Sequence, residues 1–353
     1  MAEAHEARSR GPHLISGPAT GALLTALAVS LAVVCLLAVS IGSVTLPVAA
    51  VWRVIGAHLA GQDSPSALDD QIVWDIRTPR VLLAAVGGAS LSVAGVVLQA
   101  LVRNPLADPY ILGVSSGGSL GAVLVASLGT GSLGGLGVSG GAFVTSLLTV
   151  FVVYLLAQRG GRLLDSRLVL VGVAVGYLCT AATSYVQLQI NPTELQGMMF
   201  WLMGSVAGAS WSDLGLPTAV IAICMTYLLF QARNLNALMA GDDAAAGMGV
   251  AVHRLRITLL IIGSLLTAAV VSVVGGVGFI GLMVPHTARF AVGADHRRLL
   301  PVSMLLGALF LVAVDLATRT VDRPNELPVG IVTTVLGVPF FLWLLRRRAG
   351  RGT

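Results

Sequence analysis

The chain has 353 residues, of which 56% are hydrophobic and 10% charged, with a formal net charge of +5. Soluble domains carry roughly a quarter of their residues as charges, so this composition excludes a water-soluble globular fold and points to an all-α polytopic membrane protein. All 21 basic residues are Arg and none is Lys, which excludes a P-loop, because that cradle needs its Lys on the terminal phosphates.

Residues 1–20 read as a tail carrying Arg8 and Arg10. The uncharged stretch from Leu14 to Trp52 exceeds the apolar run of roughly 7 to 15 residues of a cleaved signal, so the first span, near Gly21 to Ile41, is expected to be retained. A mixed-charge segment with Arg53, Asp63, Asp69, Asp70, Asp75, Arg77 and Arg80 follows on the opposite side, and Val81 to Val102 forms the second span. The uncharged run between Asp108 and Arg159 is too long for one crossing of about 20 residues, and the Gly-rich string from Gly129 to Gly141 divides it into a third and a fourth span. Leu168 to Ile190, ended by Asn191-Pro192, is the fifth, and Leu214 to Ala232 the sixth. Between them, MMFWLMGSVAGASW reads as a partly embedded interfacial helix anchored by Trp201 and Trp211.

Leu238 to Val250, LMAGDDAAAGMGV, is polar and Ala-rich in an otherwise apolar chain. Gly241 breaks the preceding helix, Asp242 and Asp243 suit a helix N-terminus, Ala244 to Ala246 favour helix, and Gly247 and Gly249 stop it. A helix too short to span, followed at once by His253, Arg254 and Arg256, is expected on the cytoplasmic face, offering a surface to a partner. Ile257 to Val274, a short broken helix in GFIGLMVPHTARF, Leu299 to Val314 and Leu327 to Leu345 bring the count to ten spans, ahead of a basic tail at 346–353. Sixteen Arg then fall inside and only Arg53, Arg77, Arg80, Arg319 and Arg323 outside, which places both termini in the cytoplasm by the positive-inside rule.

Chemistry is sparse. Cys35, Cys179 and Cys224 sit in three separate apolar segments without ligand spacing, so they read as packed thiols, and no metal, cofactor or nucleic acid is implied. Gly113 to Gly117 matches G-x-S-x-G and Gly137 to Gly140 matches G-x-S-G, with His286 as the one conceivable base for Ser139. Gly and Ser are also frequent where membrane helices pack closely, and that explanation is preferred to an intramembrane serine protease. Pro285-His286 marks a helix break with His286 as a polar pin, and Asp315 with Arg319, spaced i, i+4, reads as an intrahelical ion pair near the outer interface.

The strings RTPRVLLAAVGGASLSVAGVVLQALVRNPLADPYILGVSSG (77–117), SRLVLVGVAVG (166–176), FWLMGSVAGASW (200–211), GDDAAAGMGV (241–250), GGVGFIGLMVPHTARF (275–290), DHRRLLP (295–301) and ELPVGIVTTVLGVPFFLWLLRRR (326–348) together resemble the FecCD family. These are ten-span permease subunits of ABC importers in the bacterial cytoplasmic membrane. The resemblance implies import of an iron chelate, a ferric siderophore first and haem or cobalamin next, with no enzymatic activity in this chain. It implies as partners a second copy or a similar permease, two ATPase subunits, an extracytoplasmic substrate-binding protein and membrane lipid. By the same resemblance Gly241, Asp242, Asp243, Ala245, Gly247 and Gly249 couple to the ATPase. Asn104 and Leu106 match one cytoplasmic gate, and Asp165 with Ser166 fall at a second. Asp165 replaces an uncharged residue there, and a ring with one Asp from each subunit repels itself unless Arg162 or Arg167 pairs with it, so either the gate is tuned differently or Asp165 faces the ATPase. Arg77, Arg80 and Arg319 match arginines that dock the binding protein.

Overall fold

A computed structural model describes residues 17–42, 46–62, 64, 66–129, 137–160, 162–323 and 325–349. Arg8, Arg10, most of the string from Gly129 to Gly141, and the end of the basic tail lie outside the described residues. Ten helices occupy the expected crossings: α1 Gly17–Ser40, α3 Ala67–Leu101, α4 Val114–Leu128, α5 Val138–Ala157, α6 Asp165–Gln187, α8 Trp211–Met239, α10 Val252–Val274, α11 Ile280–Val292, α12 His296–Thr318 and α13 Val329–Ala349. Eight are long and apolar enough to cross a bilayer; α4, with 15 residues, and α11, with 13, are shorter. The short helices α2 Val48–Leu59, α7 Pro192–Leu202 and α9 Asp242–Gly247 lie between them. The one strand pairing among the described residues is an antiparallel ladder of Gln158–Arg159 with Arg162–Leu163 in the α5–α6 connection.

The most buried span is α3, and it packs on α8, α10, α11 and α12. Two glycines seven residues apart allow this: Gly88 faces Gly307 of α12 and Gly95 faces Gly281 of α11, and a methyl group at either would overlap the opposing carbonyl oxygen. Lipid gives helices no hydrophobic reason to associate, so such close backbone approach supplies the packing.

The second span begins much earlier than Val81. Ser66 caps it by accepting from the Asp69 N–H at 3.3 Å, Asp69 and Asp70 occupy the first turn, and a π-turn at Gln71–Arg77 carries the helix on. What reads as a charged loop is therefore a capped helix start. His58 pairs with Asp70 at 2.7 Å and stacks on Trp74, and the Trp211 indole N–H donates to the Trp74 carbonyl at 3.0 Å. The interfacial helix also shifts: α7 starts at Pro192 and ends at Leu202, and Met203 to Ser210 are not helical.

Pro285 does not break its helix, and α11 runs straight through it. Proline removes the donor that the Gly281 carbonyl needs, and the Gln99 side-chain amide of α3 replaces it at 3.1 Å. The non-helical stretch is instead Gly275 to Phe279. Its surroundings are tied as backbone at membrane depth must be: Val277 N–H donates to the Tyr110 hydroxyl at 2.7 Å, Ser205 N–H to the Val274 carbonyl at 2.8 Å, and Val329 N–H to the Gly204 carbonyl at 2.9 Å.

Candidate coupling and gating site

Gly241, at φ +109°, ends α8 and turns the chain into the single short helix α9. Ala245 is fully buried, whereas Asp243, Ala244, Ala246, Gly247 and Met248 face outward, Met248 being 60% exposed. Gly249, at φ +84°, closes the segment with Val250 N–H donating to the Ala245 carbonyl at 3.0 Å. The outer face of α9 is thus small and flat with one methionine standing proud of it.

Four charges tie α9 to the ends of three spans. Arg256, in the second turn of α10 and almost fully buried, donates to Asp165 at the start of α6 and, at 2.9 Å, to Asp242 at the start of α9. Arg103, just past the end of α3, reaches the same two carboxylates, Asp165 at 3.1 Å and Asp242 at 3.5 Å. Two guanidinium groups against two carboxylates leave the cluster neutral. Asp165 therefore has partners in its own subunit, drawn from Arg103 and Arg256; the side chain of Arg162 lies outside the described residues.

The loop after α3 starts in an unusual conformation. Arg103 has φ +48°, and Asn104 N–H donates back to the Gln99 carbonyl at 3.2 Å, the closure of a helix end whose left-handed position is normally glycine. Asn104 Oδ1 accepts from the Leu106 N–H at 3.0 Å, fixing the next turn. Ser166, in the first turn of α6, is exposed beside this cluster.

At the opposite end, Arg77, Arg80 and Arg319 are brought together but turned inward, each no more than 6% exposed. Arg80 donates to Asp315 at 2.9 Å and to Glu326 at 2.8 Å; Arg319 holds Asp315 at 2.9 Å, the i, i+4 pair read from the sequence; Arg77 donates to the carbonyls of Val39 and Ser40. Asp315 is 0% exposed.

Between the two ends, a cavity of about 240 Å³ is lined by Ser115, Ser116 and Ser119 of α4 and by Thr180, Thr183, Ser184 and Gln187 of α6. A second, of about 390 Å³, is lined by Met203, Gly276, Gly278, Gly330 and Thr334. The G-x-S-x-G serines thus line a wall. His286 packs edge-on against Phe290 at 4.8 Å, while Ser139 opens onto a different cavity beside Met198 and Trp201.

Residues 30–347 match the FecCD transport family. The chain belongs to the FecCD transport family. Relatives within reach of this FecCD chain include the cobalamin import system permease protein BtuC of Halobacterium salinarum, 45% identical over 280 residues that cover 79% of this chain and 74% of the relative. The hemin transport system permease protein HmuU of Yersinia pestis is 42% identical over 78% of this chain and 84% of its own length. A solved inward-facing structure of a transporter described as of metal-chelate type superposes with a TM-score of 0.81 at 30% identity, covering 93% of this chain and 99% of that one. The protein is accordingly a multi-pass ABC importer permease.

Within this FecCD permease, sequence reasoning missed Arg103, Gln99 and Met248, and it placed Arg256 at a surface offered to a partner whereas the structure buries it. Arg256 reads in the sequence as a surface charge beside the polar loop, because its partner Asp165 lies 91 residues away, beyond any local spacing rule. Met248 was legible, being the one large apolar residue in 241–249, a segment otherwise made of Gly, Ala and Asp.

Proposed function

We propose that this permease carries a metal chelate, a ferric siderophore first and haem or cobalamin next, along a pathway enclosed with a second copy or a similar permease in a bacterial cytoplasmic membrane, both termini inside. The observation that carries the pathway is the wall of hydroxyls on α4 and α6. Thr180, Thr183 and Ser184 donate to the carbonyls four residues back, which meets their donors; their free acceptor capacity, together with the Gln187 amide, suits a water-filled passage better than lipid tails. Two ATPase subunits, which perform the ATP hydrolysis, seat on the outward face of α9, where flat backbone and the Met248 side chain suit a groove; Asn104, Leu106, Asp165 and Ser166 form the gate behind it. A substrate-binding protein docks over Arg77, Arg80 and Arg319, which act as a field, because three guanidinium groups against Asp315 and Glu326 leave one net positive charge under that surface.

The test is uptake by proteoliposomes containing the permease, its ATPase and its binding protein, offered in turn a radiolabelled ferric trihydroxamate, hemin and cyanocobalamin. ATP-dependent accumulation of the ferric chelate is expected, and it should fall steeply in Thr180→Leu/Ser184→Leu. Accumulation of hemin or cyanocobalamin alone would replace the siderophore with that cargo, and accumulation of none would overturn the metal-chelate reading.

A further inference from the structure

We infer that Arg103 is the positioning residue that transmits the movement of α9 to the gate loop, with Arg256 as the fixed pivot; this rests on the reading of α9 as coupling element and Asn104 to Leu106 as gate. The two arginines share the same carboxylates but not the same surroundings. Arg256 is rooted inside α10 with its side chain only 5% exposed, and its terminal nitrogens are divided between Asp165 and Asp242. Arg103 is 37% exposed and holds the same acids at longer range, 3.1 and 3.5 Å. Exposed pairs of that kind are weak and readily exchanged with water, whereas a buried, doubly bonded guanidinium is not.

Arg103 also stores a conformational bias. Its φ of +48° is one that a side chain bearing a Cβ seldom adopts without outside contacts to hold it. Those contacts are the Asn104 N–H to Gln99 carbonyl bond that closes the end of α3 and the side-chain pairs with Asp165 and Asp242. When α9 shifts and carries Asp242 away, Arg103 loses one of its two side-chain anchors and the backbone is freed to relax to a right-handed conformation. Asn104, the next residue, is then swung out of its turn with Leu106. The gate loop so becomes a two-state element biased by the position of α9.

The experiment uses the reconstituted complex of permease, ATPase and binding protein, with Leu106→Cys in both permease copies and crosslinking measured with and without ATP. In the parent, crosslinking should depend on nucleotide. Arg103→Ala should lose up to about fivefold of that dependence while ATPase stimulation by the binding protein stays within about twofold and the melting temperature falls only slightly. Arg103→Lys, which keeps the charge, should recover most of the dependence. Nucleotide-dependent crosslinking retained in Arg103→Ala, or Arg103→Lys behaving like Arg103→Ala, would overturn the inference. A separate arm with Ala245→Pro tests the underlying reading: if that variant is still fully stimulated, α9 is not the coupling element and the relay falls with it.

Discussion

Both ends of the bundle carry arginines paired with carboxylates, yet the two clusters differ in what they join and in how wet they are. At one end Arg80, Arg319 and the fully enclosed Asp315 bind helices α3 and α12 to each other, deep beneath the surface. At the other, Arg103, Asp165, Asp242 and Arg256 join a short surface helix and a loop to three spans, and Asp242 keeps 44% of its side chain in solvent. A buried network cannot lose one member without stranding a charge, so the first cluster is a staple. A half-solvated one can trade partners with water at small cost, so the second is suited to movement.

The largest loss is expected at Asp315. Asp315→Ala leaves two buried guanidinium groups without a carboxylate between them and should cost on the order of 3–5 kcal/mol, read as a large fall in melting temperature and in the yield of folded permease. Arg103→Ala at the other end should cost about 1 kcal/mol or less; equal losses in the two variants would erase the distinction drawn here. Ala245→Pro comes next, because proline disrupts a helix by roughly 3 kcal/mol but only within α9, where Ala245 is buried against the body. The permease should still insert and dimerise while stimulation of its ATPase by the binding protein disappears, and unchanged stimulation would sink the coupling assignment.

Smaller still is the effect expected of Leu106→Cys in both copies, which should leave transport intact under reducing conditions and crosslink in one nucleotide state; equal crosslinking with and without ATP would make the loop a mere connector. Smallest is Glu326→Gln. Glu326 is the exposed member of the outer cluster and neutralises Arg80, so its removal raises the local positive charge without disturbing Asp315. Association with an acidic binding protein should quicken about twofold at low salt and the gain should vanish as salt rises. A rate indifferent to both changes would remove this end as the docking surface.

Most of the architecture was legible because it is written in composition and in charge-free length: ten helices appear where apolar runs predict crossings, eight of them long enough to span, and so does the helix after Gly241. The failures share one physical origin. Asp69 and Asp70 looked like loop residues because a helix start beyond the membrane is as polar as a loop, and only the Ser66 cap distinguishes them. Pro285 looked like a break because the sequence does not disclose that an amide from another helix would replace its missing donor. In the same way Arg77, Arg80 and Arg319 were located as a group, but the direction they face depends on Asp315, Glu326 and the carbonyls of Val39 and Ser40, all brought in by tertiary packing.

Gln99 sets a limit on reach. Its amide group donates to the Ala107 carbonyl at 3.2 Å as well as to Gly281, and its oxygen accepts from Arg289. The far end of the gate loop is therefore nailed to α11 from within the core, while its near end is closed onto α3 by the Asn104 N–H to Gln99 carbonyl bond, with the Arg103 side chain held by the two carboxylates. Only Asn104, Pro105 and Leu106 lie between these two points. Three residues fully extended span roughly 10 Å, which is the greatest distance this loop can withdraw by itself. A cargo bulkier than the opening so created has to be let through by the parting of whole helices, and the width of that parting, rather than the loop, then sets the largest molecule the permease admits.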